Sequence, residues 1–253
     1  MRPAMCPAIL SVLHSTILYD ARCEILCYLL CDAVCKVRFI LRCLQQHTST
    51  LQATTFDQQL GSWDVGRVTD MRYMFEEAKA FDTPLDSWDT SQVTSMESLF
   101  STASVFNQPV GAWDVGHVSN TRYMFQRASL FNQPIGAWST GEITNMESMF
   151  NEAGAFSQDL NGWSTSKVEN MGQMFYKATV FNSPLSSWQV DKVVSTRYMF
   201  SEARAFNGSM DGWNASQVCK WPHPSRKFDS YHSARSYPIL IAGAAPLSPD
   251  PTT

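Results

Sequence analysis

Arginine and tyrosine occur side by side at one recurring register of this chain. Arginine can pair with a carboxylate through two parallel hydrogen bonds, and tyrosine offers a rigid amphipathic surface, so the two types are enriched at binding hot spots. The pattern predicts a candidate binding surface, which we call the Arg–Tyr row: Arg72, Tyr73, Arg122, Tyr123, Arg197 and Tyr198. Glu97 and Glu147 stand at the intervening register positions. The alternation is therefore also consistent with duplication of a two-repeat block whose charges weakly support neighbouring repeats.

Catalytic chemistry has little support in the residue pattern. His117 stands at a register filled elsewhere by Arg67, Gln92, Glu142 and Lys167, which predicts a solvent-facing turn. We interpret Glu76, Glu77, Glu152 and Glu202 as a solvated face. The sequence contains no glycine-rich phosphate loop, no metal-ligand spacing and no recognisable nucleophile with its base. We therefore expect a protein that is not an enzyme, with no catalytic, cofactor-binding or metal-binding residues.

Six of the seven cysteines lie in residues 1–50, and Cys23, Cys27, Cys31 and Cys35 recur every fourth residue. That row could be a thiol metal site or an acylated membrane helix. A single row of thiols cannot surround zinc tetrahedrally, and free cysteine is among the most buried residue types. We expect residues 1–50 to be a Cys-rich apolar segment, either a helical cap or a targeting element. Any membrane association would run through this segment.

Aromatic residues repeat with a period of 25 and predict the elements that position these side chains. Seven of the eight tryptophans keep this period: Trp63, Trp88, Trp113, Trp138, Trp163, Trp188 and Trp213. One phenylalanine series is Phe56, Phe81, Phe106, Phe131, Phe156, Phe181 and Phe206, and the other is Phe75, Phe100, Phe125, Phe150, Phe175 and Phe200. Such a period indicates stacked units that bury their apolar sides against one another. We predict that the tryptophans and the second phenylalanine series form the repeat core.

Within each unit, apolar residues at i, i+3, i+4 and i+7 predict a short α-helix, as at Met96–Ala103. The residue before it is Asp70, Ser95, Asn120, Asn145, Asn170 or Ser195, and each of these can cap a helix. The stretch from tryptophan to the following Val or Ile predicts a turn and a short extended segment. Asp57, Asp82, Asn107, Asn132, Ser157, Asn182 and Asn207 fill one bend register and predict a polar ladder.

These elements predict an α/β fold: a curved solenoid of about seven repeats, each with an extended segment, a turn and a short helix. Extended segments stack roughly 5 Å apart and helices roughly 8 to 10 Å apart, so the helical side is expected to fan outward. The repeats are expected to cover residues 51–219. Residues 220–253, rich in Pro and Ser, are expected to form a disordered tail.

The run from Trp63 to Phe81, together with Phe-Asn-Gln-Pro at Phe106 and Phe131, resembles the BspA-like leucine-rich repeat family. The resemblance implies an extracellular protein that mediates adhesion or protein binding, at the cell surface or secreted. It carries no catalytic residues to this chain. The apolar run Ala8 to Leu13 is a weak match to a secretion signal.

Charge excludes one class of partner. Residues 56–218 contain ten Lys or Arg and eighteen Asp or Glu. Nucleic-acid binding needs clustered cations, so we expect no nucleic-acid partner. We expect a non-enzymatic repeat protein that presents an extended surface to a protein or glycan. The alternative is a structural spacer or scaffold without a dedicated ligand.

Overall fold

The computed structural model describes residues 54–57 and 59–213. The expectations for residues 1–50 and for the tail from residue 220 fall outside these residues. Within the described ranges, 25-residue units stack in register and are joined by backbone hydrogen bonds. Asp70 and Ser95 form an isolated parallel β-bridge. Each later bridge links the next pair of units: Ser95 to Asn120, Asn120 to Asn145, Asn145 to Asn170, and Asn170 to Ser195.

The prediction of a short helix in each unit is wrong. Among the described residues, only Thr54 has α-helical conformation, and the β-structure consists of the isolated bridges. We call residues 71–78 and their equivalents in later units the turn ribbon. It consists of consecutive turns, each closed by a hydrogen bond from an amide to the carbonyl three residues earlier. In the unit after Trp88, the amides of Leu99, Ser101 and Ala103 bond to carbonyls three residues earlier at 3.0–3.2 Å. The α/β helix-plus-strand solenoid is therefore replaced by stacked units made of turns.

Hydrogen bonds between units explain why the ribbon does not become a helix. The amides of Met96, Ser98, Phe100 and Thr102 donate to carbonyls 24 residues ahead, at 2.6–2.9 Å. A helix would bond its amides, after the first turn, to carbonyls within its own segment. In the turn ribbon, alternate amides donate to carbonyls of the next unit, and these bonds satisfy backbone groups in the interior of the stack.

Left-handed backbone conformations make the ribbon possible. Positive φ angles of 53 to 63° recur at two registers of every ribbon, and no glycine among residues 59–213 adopts one. The residues are Tyr73, Glu77, Ser98, Thr102, Tyr123, Arg127, Ser148, Glu152, Gln173, Lys177, Tyr198 and Glu202. A positive φ at the third residue of a turn is typical of type II geometry. The ribbon therefore holds non-glycine residues in a conformation that costs each of them energy.

Because the described units contain no helix, the side of the stack on which helices were predicted does not fan outward. Ring centroids in the column from Phe75 to Phe200 lie 5.4–5.8 Å apart. Those in the column from Phe56 to Phe206 lie 5.8–6.1 Å apart. Three tryptophan pairs in the same stack are 6.2–6.4 Å apart. These spacings are well below the helix-to-helix distance on which the predicted curvature depended.

The aromatic columns form the interior. Trp88, Trp113, Trp138, Trp163 and Trp188 are buried, whereas Trp63 and Trp213 at the two ends of the described stack are partly buried. Phe75, Phe100, Phe125, Phe150, Phe175 and Phe200 are buried. Each tryptophan from Trp88 onward also donates its indole N–H to a backbone carbonyl 28 residues earlier, at 2.8–3.0 Å. Tryptophan thus fills the core and fastens one unit to the preceding one.

The predicted polar ladder is confirmed in the bends. The Oδ1 atoms of Asp57, Asp82, Asn107 and Asn132 each accept from the backbone amide one unit ahead, at 2.8–3.2 Å. Asn182 accepts from the amide of Asn207 in the same way. These side chains therefore complete the backbone bonding between units where no β-bridge runs.

Candidate protein-binding face

The residues predicted to cap helices instead close local turns that aim the Arg–Tyr row. The side-chain oxygens of Asp70, Asn120, Asn145 and Asn170 accept from the backbone amide two residues later, at 2.9–3.0 Å. That amide belongs to the arginine or glutamate register. The next residue has the positive φ, at Tyr73, Tyr123 and Tyr198 and also at Ser98 and Ser148. The Arg–Tyr row therefore lies at the second and third residues after the turn-forming side chain.

Arg72 is bound within its own unit. Its guanidinium donates to both carboxylate oxygens of Asp70, through Nε at 3.0 and 3.1 Å and through Nη2 at 2.7 Å. The hydrogen bond and the charge of Asp70 raise the pKa of Arg72. Burial, followed by the charge of Glu97, raises the pKa of Tyr73. This first pair is already matched by acidic neighbours.

Arg122 is bound across two units. Its Nε lies 2.9 Å from Glu147 Oε2, and its Nη2 donates to the Tyr123 hydroxyl at 2.7 Å. The guanidinium carbon also lies 4.4 Å from the centre of the Tyr123 ring. The Nε contact is an ion pair without hydrogen-bond geometry, since this buried Nε has no hydrogen-bond acceptor. Arg122 therefore joins its unit to the next through charge, and it stacks on the Tyr123 ring within its own unit.

The glutamates of the row are engaged too. Glu97 Oε2 accepts from Asn120 Nδ2 at 3.2 Å, and Glu147 Oε2 accepts from Asn170 Nδ2 at 3.1 Å. The serines that replace tyrosine in these units, Ser98 and Ser148, are buried. For the second Arg–Tyr pair, the geometry matches the alternative of mutual support between repeats, whereas the first arginine is held within its own unit.

The third pair differs from the other two. Arg197 is exposed, and its guanidinium carbon lies 4.9 Å from the centre of the Tyr198 ring. Its Nη2 is 3.5 Å from the Tyr198 hydroxyl. The register position one unit earlier is Gly172, where the alternation of arginine and glutamate stops. Within the part of the chain that the structure describes, Arg197 forms no ion pair.

A second face carries the turn row, which we define as Arg67, Gln92, His117, Glu142, Lys167 and Lys192. All six residues are exposed, and the prediction that His117 faces solvent is confirmed. Lys167 Nζ donates to Glu142 at 2.7 Å. This hydrogen bond, together with the charge of Lys167, lowers the pKa of Glu142. The inward neighbours in the same segments are the buried Val68, Val93, Val118, Ile143, Val168 and Val193.

The solvated face predicted for four glutamates holds only in part. Glu77 and Glu202 are exposed, whereas Glu76 and Glu152 are half-buried. Glu152 lies 3.3 Å from Arg127 Nε, and Glu202 accepts from the Tyr176 hydroxyl at 3.2 Å. Sequence reasoning missed these links between units. The available signal was the spacing of 25 or 26 residues between the partners.

Neither a metal centre nor a membrane span is found in residues 54–57 and 59–213. The described stretch contains no group of three or more metal-ligating side chains. It also contains no helix long and apolar enough to cross a membrane. The comparisons give one family, described as "Mycoplasma protein of unknown function, DUF285", whose model matches residues 45–161 and 131–233. No curated protein and no solved structure matches the chain.

Proposed function

We propose that this chain, which belongs to the DUF285 family of repeat-containing proteins, is a non-enzymatic binding protein that presents the outer face of its stacked units to a protein or glycan. The repeated backbone acts as the frame, and the side chains that vary from unit to unit provide the recognition. Binding at several units would combine weak contacts into a usable affinity.

The observation that carries this proposal is the contrast between inward and outward registers. In the segment that contains the turn row, the inward residue is Val or Ile in all six units and is buried in each. The outward residue immediately before it changes from Arg to Gln, His, Glu and Lys and is exposed in each. A frame that holds different side chains in fixed register suits recognition of a specific partner. Uniform polar turns would suit a spacer better.

The likeness to BspA-like surface repeats supports the same proposal. It rests on the Trp63 to Phe81 run and on Phe-Asn-Gln-Pro at Phe106 and Phe131. Under the proposal, the protein acts in adhesion-like contacts at a cell surface or after secretion. A location outside the cell would give such a face access to partners on other surfaces.

The alternative of a structural spacer is favoured by a separate observation. Arg72 is held by Asp70, and Arg122 is held by Glu147 and Tyr123. Two of the three Arg–Tyr pairs thus stabilise the stack itself. A spacer would need this internal pairing and no outward recognition.

Two six-fold alanine variants test the proposal. One replaces the Arg–Tyr row, and the matched control replaces the turn row. The full-length chain and both variants are immobilised, exposed to cross-linked surface extract from the native host and to a glycan array, and checked for thermal stability. We expect the intact chain to retain a defined partner that one variant loses while remaining folded. If the intact chain retains no partner on either platform, the spacer alternative is favoured.

A further inference from the structure

We propose that an apolar ridge on the outer surface of the stack joins two copies of this chain in antiparallel orientation. The ridge is one register of the repeat: Ala80, Val105, Leu130, Ala155, Val180 and Ala205. It shares no residue with the Arg–Tyr row or the turn row. The proposal therefore goes beyond the proposed function and does not depend on it.

The ridge stays apolar in six consecutive units although the core does not contain it. None of its side chains is buried, and Leu130 and Val180 are 54% and 44% exposed. The registers on either side of it, which begin with Ala78 and Phe81, are buried in every described unit. Rings from Phe81 to Phe206, one residue further along, follow one another at 5.8–6.1 Å, so the ridge side chains form a contiguous strip. A contiguous exposed apolar strip is typical of an interaction surface.

The sizes of the ridge side chains are self-complementary. From Leu130 to Ala205 they alternate between large and small. A twofold axis that crosses the ridge between the Ala155 and Val180 units sets a large side chain opposite a small one throughout. Leu130 then faces Ala205 of the second copy, and Val180 faces its Ala155. Each exposed large side chain thus fills the space above an alanine, as a self-complementary interface requires.

The charges beside the ridge fit the same alignment. The register three residues before it, which we call the charge row, also lies outside the core: Glu77, Thr102, Arg127, Glu152, Lys177 and Glu202. Because the axis lies in the interface and crosses the ridge, each row faces itself in the second copy. Arg127 then faces Glu202, Glu152 faces Lys177, and the symmetry repeats both contacts.

Other alignments are repelled by the same charges. A shift of one unit in one direction sets Arg127 opposite Lys177 of the second copy. A shift of one unit in the other direction sets Glu152 opposite Glu202. Like charges across an interface suppress the wrong arrangements, so the charge row selects one alignment.

The ridge supplies the attraction, and the charge row supplies the register. Arg127 already lies 3.3 Å from Glu152 within one chain, and the Tyr176 hydroxyl donates to Glu202 at 3.2 Å. The second copy adds opposite charges to groups that have neighbours, which contributes little affinity. The contact covers four units of each copy and is therefore small. We expect a reversible dimer with a dissociation constant above about 10 μM.

Sedimentation equilibrium on the full chain, from about 5 μM to 1 mM, tests the ridge. We expect the mass to rise from monomer to dimer with concentration. Leu130→Ser and Val180→Ser should each weaken the dimer at least about tenfold, because each change acts twice in the symmetric interface. The matched control is Val194→Ser, which alters an apolar side chain that is 66% exposed at another register. It should change the dissociation constant less than about twofold.

A charge exchange tests the alignment. Arg127→Glu and Glu202→Arg should each weaken the dimer at least about tenfold at physiological salt, because each sets like charges opposite one another. The double variant restores opposite charges across the interface and should return to within about threefold of the parent chain. The two positions lie three units apart in one chain, roughly 18 Å, which exceeds the screening length of about 8 Å. Restoration therefore reports contact between copies, and thermal melts check that every variant is folded.

Three results would each overturn the proposal: a monomer at every concentration, ridge variants that dimerise as well as the control, or a double variant that stays as weak as the single ones. A monomer at about 1 mM would leave the ridge to another segment of this chain or to a different partner. The proposed function is judged separately, because its two alanine variants change no residue of the ridge or the charge row.

Discussion

The indole N–H of Trp138 donates to the carbonyl oxygen of Val110, 28 residues earlier, at 3.0 Å. The same carbonyl oxygen accepts the backbone amide of Trp113 at 3.2 Å. One oxygen thus serves both the turn of its own unit and the side chain of the next. Because the arrangement recurs in every described unit from Trp88 onward, tryptophan has two roles at this register, packing and bonding.

Replacing Trp138 with Ala should lower the free energy of unfolding by about 3 to 5 kcal/mol, because a large ring is lost from a core packed on both sides. Replacing it with Phe should cost about 1 to 2 kcal/mol, since the ring remains and mainly the hydrogen bond is lost. Trp213→Ala is the control at the partly buried end of the described stack and should cost less. Urea denaturation followed by circular dichroism measures all three. Equal small losses would show that the tryptophans do not hold the stack together.

The sequence was sufficient to predict the period, the inward registers and the polar ladder, because each depends on residue type recurring at one place. Trp, Phe and Val recur where burial requires them, and Asp57 through Asn207 recur where a backbone amide needs an acceptor. The repeat core and the polar ladder between units followed from that recurrence. Indole hydrogen bonds did not, since the spacing of 28 residues appears only once the units are stacked.

The helix prediction failed because its periodic signal is shared by another structure. Met96, Leu99, Phe100 and Ala103 also point inward from the turn ribbon. The two structures differ in the acceptors of the backbone amides at 96, 98, 100 and 102. In the turn ribbon, these acceptors are carbonyls of the next unit. One clue was available: units stacked roughly 5 Å apart on one side can hold helices on the other only if the stack curves strongly. Gly172 was a similar clue that the three Arg–Tyr pairs are not equivalent, because it breaks the alternation of arginine and glutamate.

Replacing Thr102 with glycine should stabilise the folded protein. This β-branched residue is held at a φ of 63°, which is costly for all residues except glycine. Its backbone amide bond to Gln126 would remain. We expect Thr102→Gly to raise the free energy of unfolding by about 0.5 to 1 kcal/mol, the strain relieved less the added chain entropy. Ser104→Gly, at a residue without positive φ, is the control and should destabilise; a loss of stability in both variants would contradict the strain assigned to the ribbon.

The side-chain oxygen of Asn107 should be needed as a hydrogen-bond acceptor, whereas its side-chain NH2 group should not be needed. Its Oδ1 accepts from the Asn132 amide at 2.9 Å and from Gln133 Nε2 at 3.1 Å. Asn107→Ala should cost about 1 to 3 kcal/mol because these donors lose their acceptor. Asn107→Asp should cost less than half as much, since Asp82 fills the same role one unit earlier. Hydrogen exchange should show faster exchange of the Asn132 amide in the alanine variant only, and unchanged protection there would remove the ladder from the account of stability.

Titration of Glu76 should make the protein less stable as pH rises, whereas titration of a carboxylate paired with a cation makes a protein more stable as pH rises. Burial, then the charges of Glu77 and Glu97, raises the pKa of Glu76 above its ordinary value of 4.5. The folded state therefore holds this proton more tightly than the unfolded state. Stability is lost as pH rises from the unfolded pKa through the higher folded pKa, and it is regained on acidification.

Glu76→Gln removes that titration while keeping the size of the side chain. We expect the variant to have a higher thermal midpoint than the parent chain at neutral pH, and the difference to vanish near about pH 4, where the glutamate is largely protonated in both states. Asp86→Asn, a change at an exposed carboxylate, is the control for simple loss of negative charge in this acidic part of the stack. Thermal melts across this pH range decide the matter. A gain in Glu76→Gln that matches the control at every pH would mean that overall charge, and not burial of this carboxylate, sets the pH dependence.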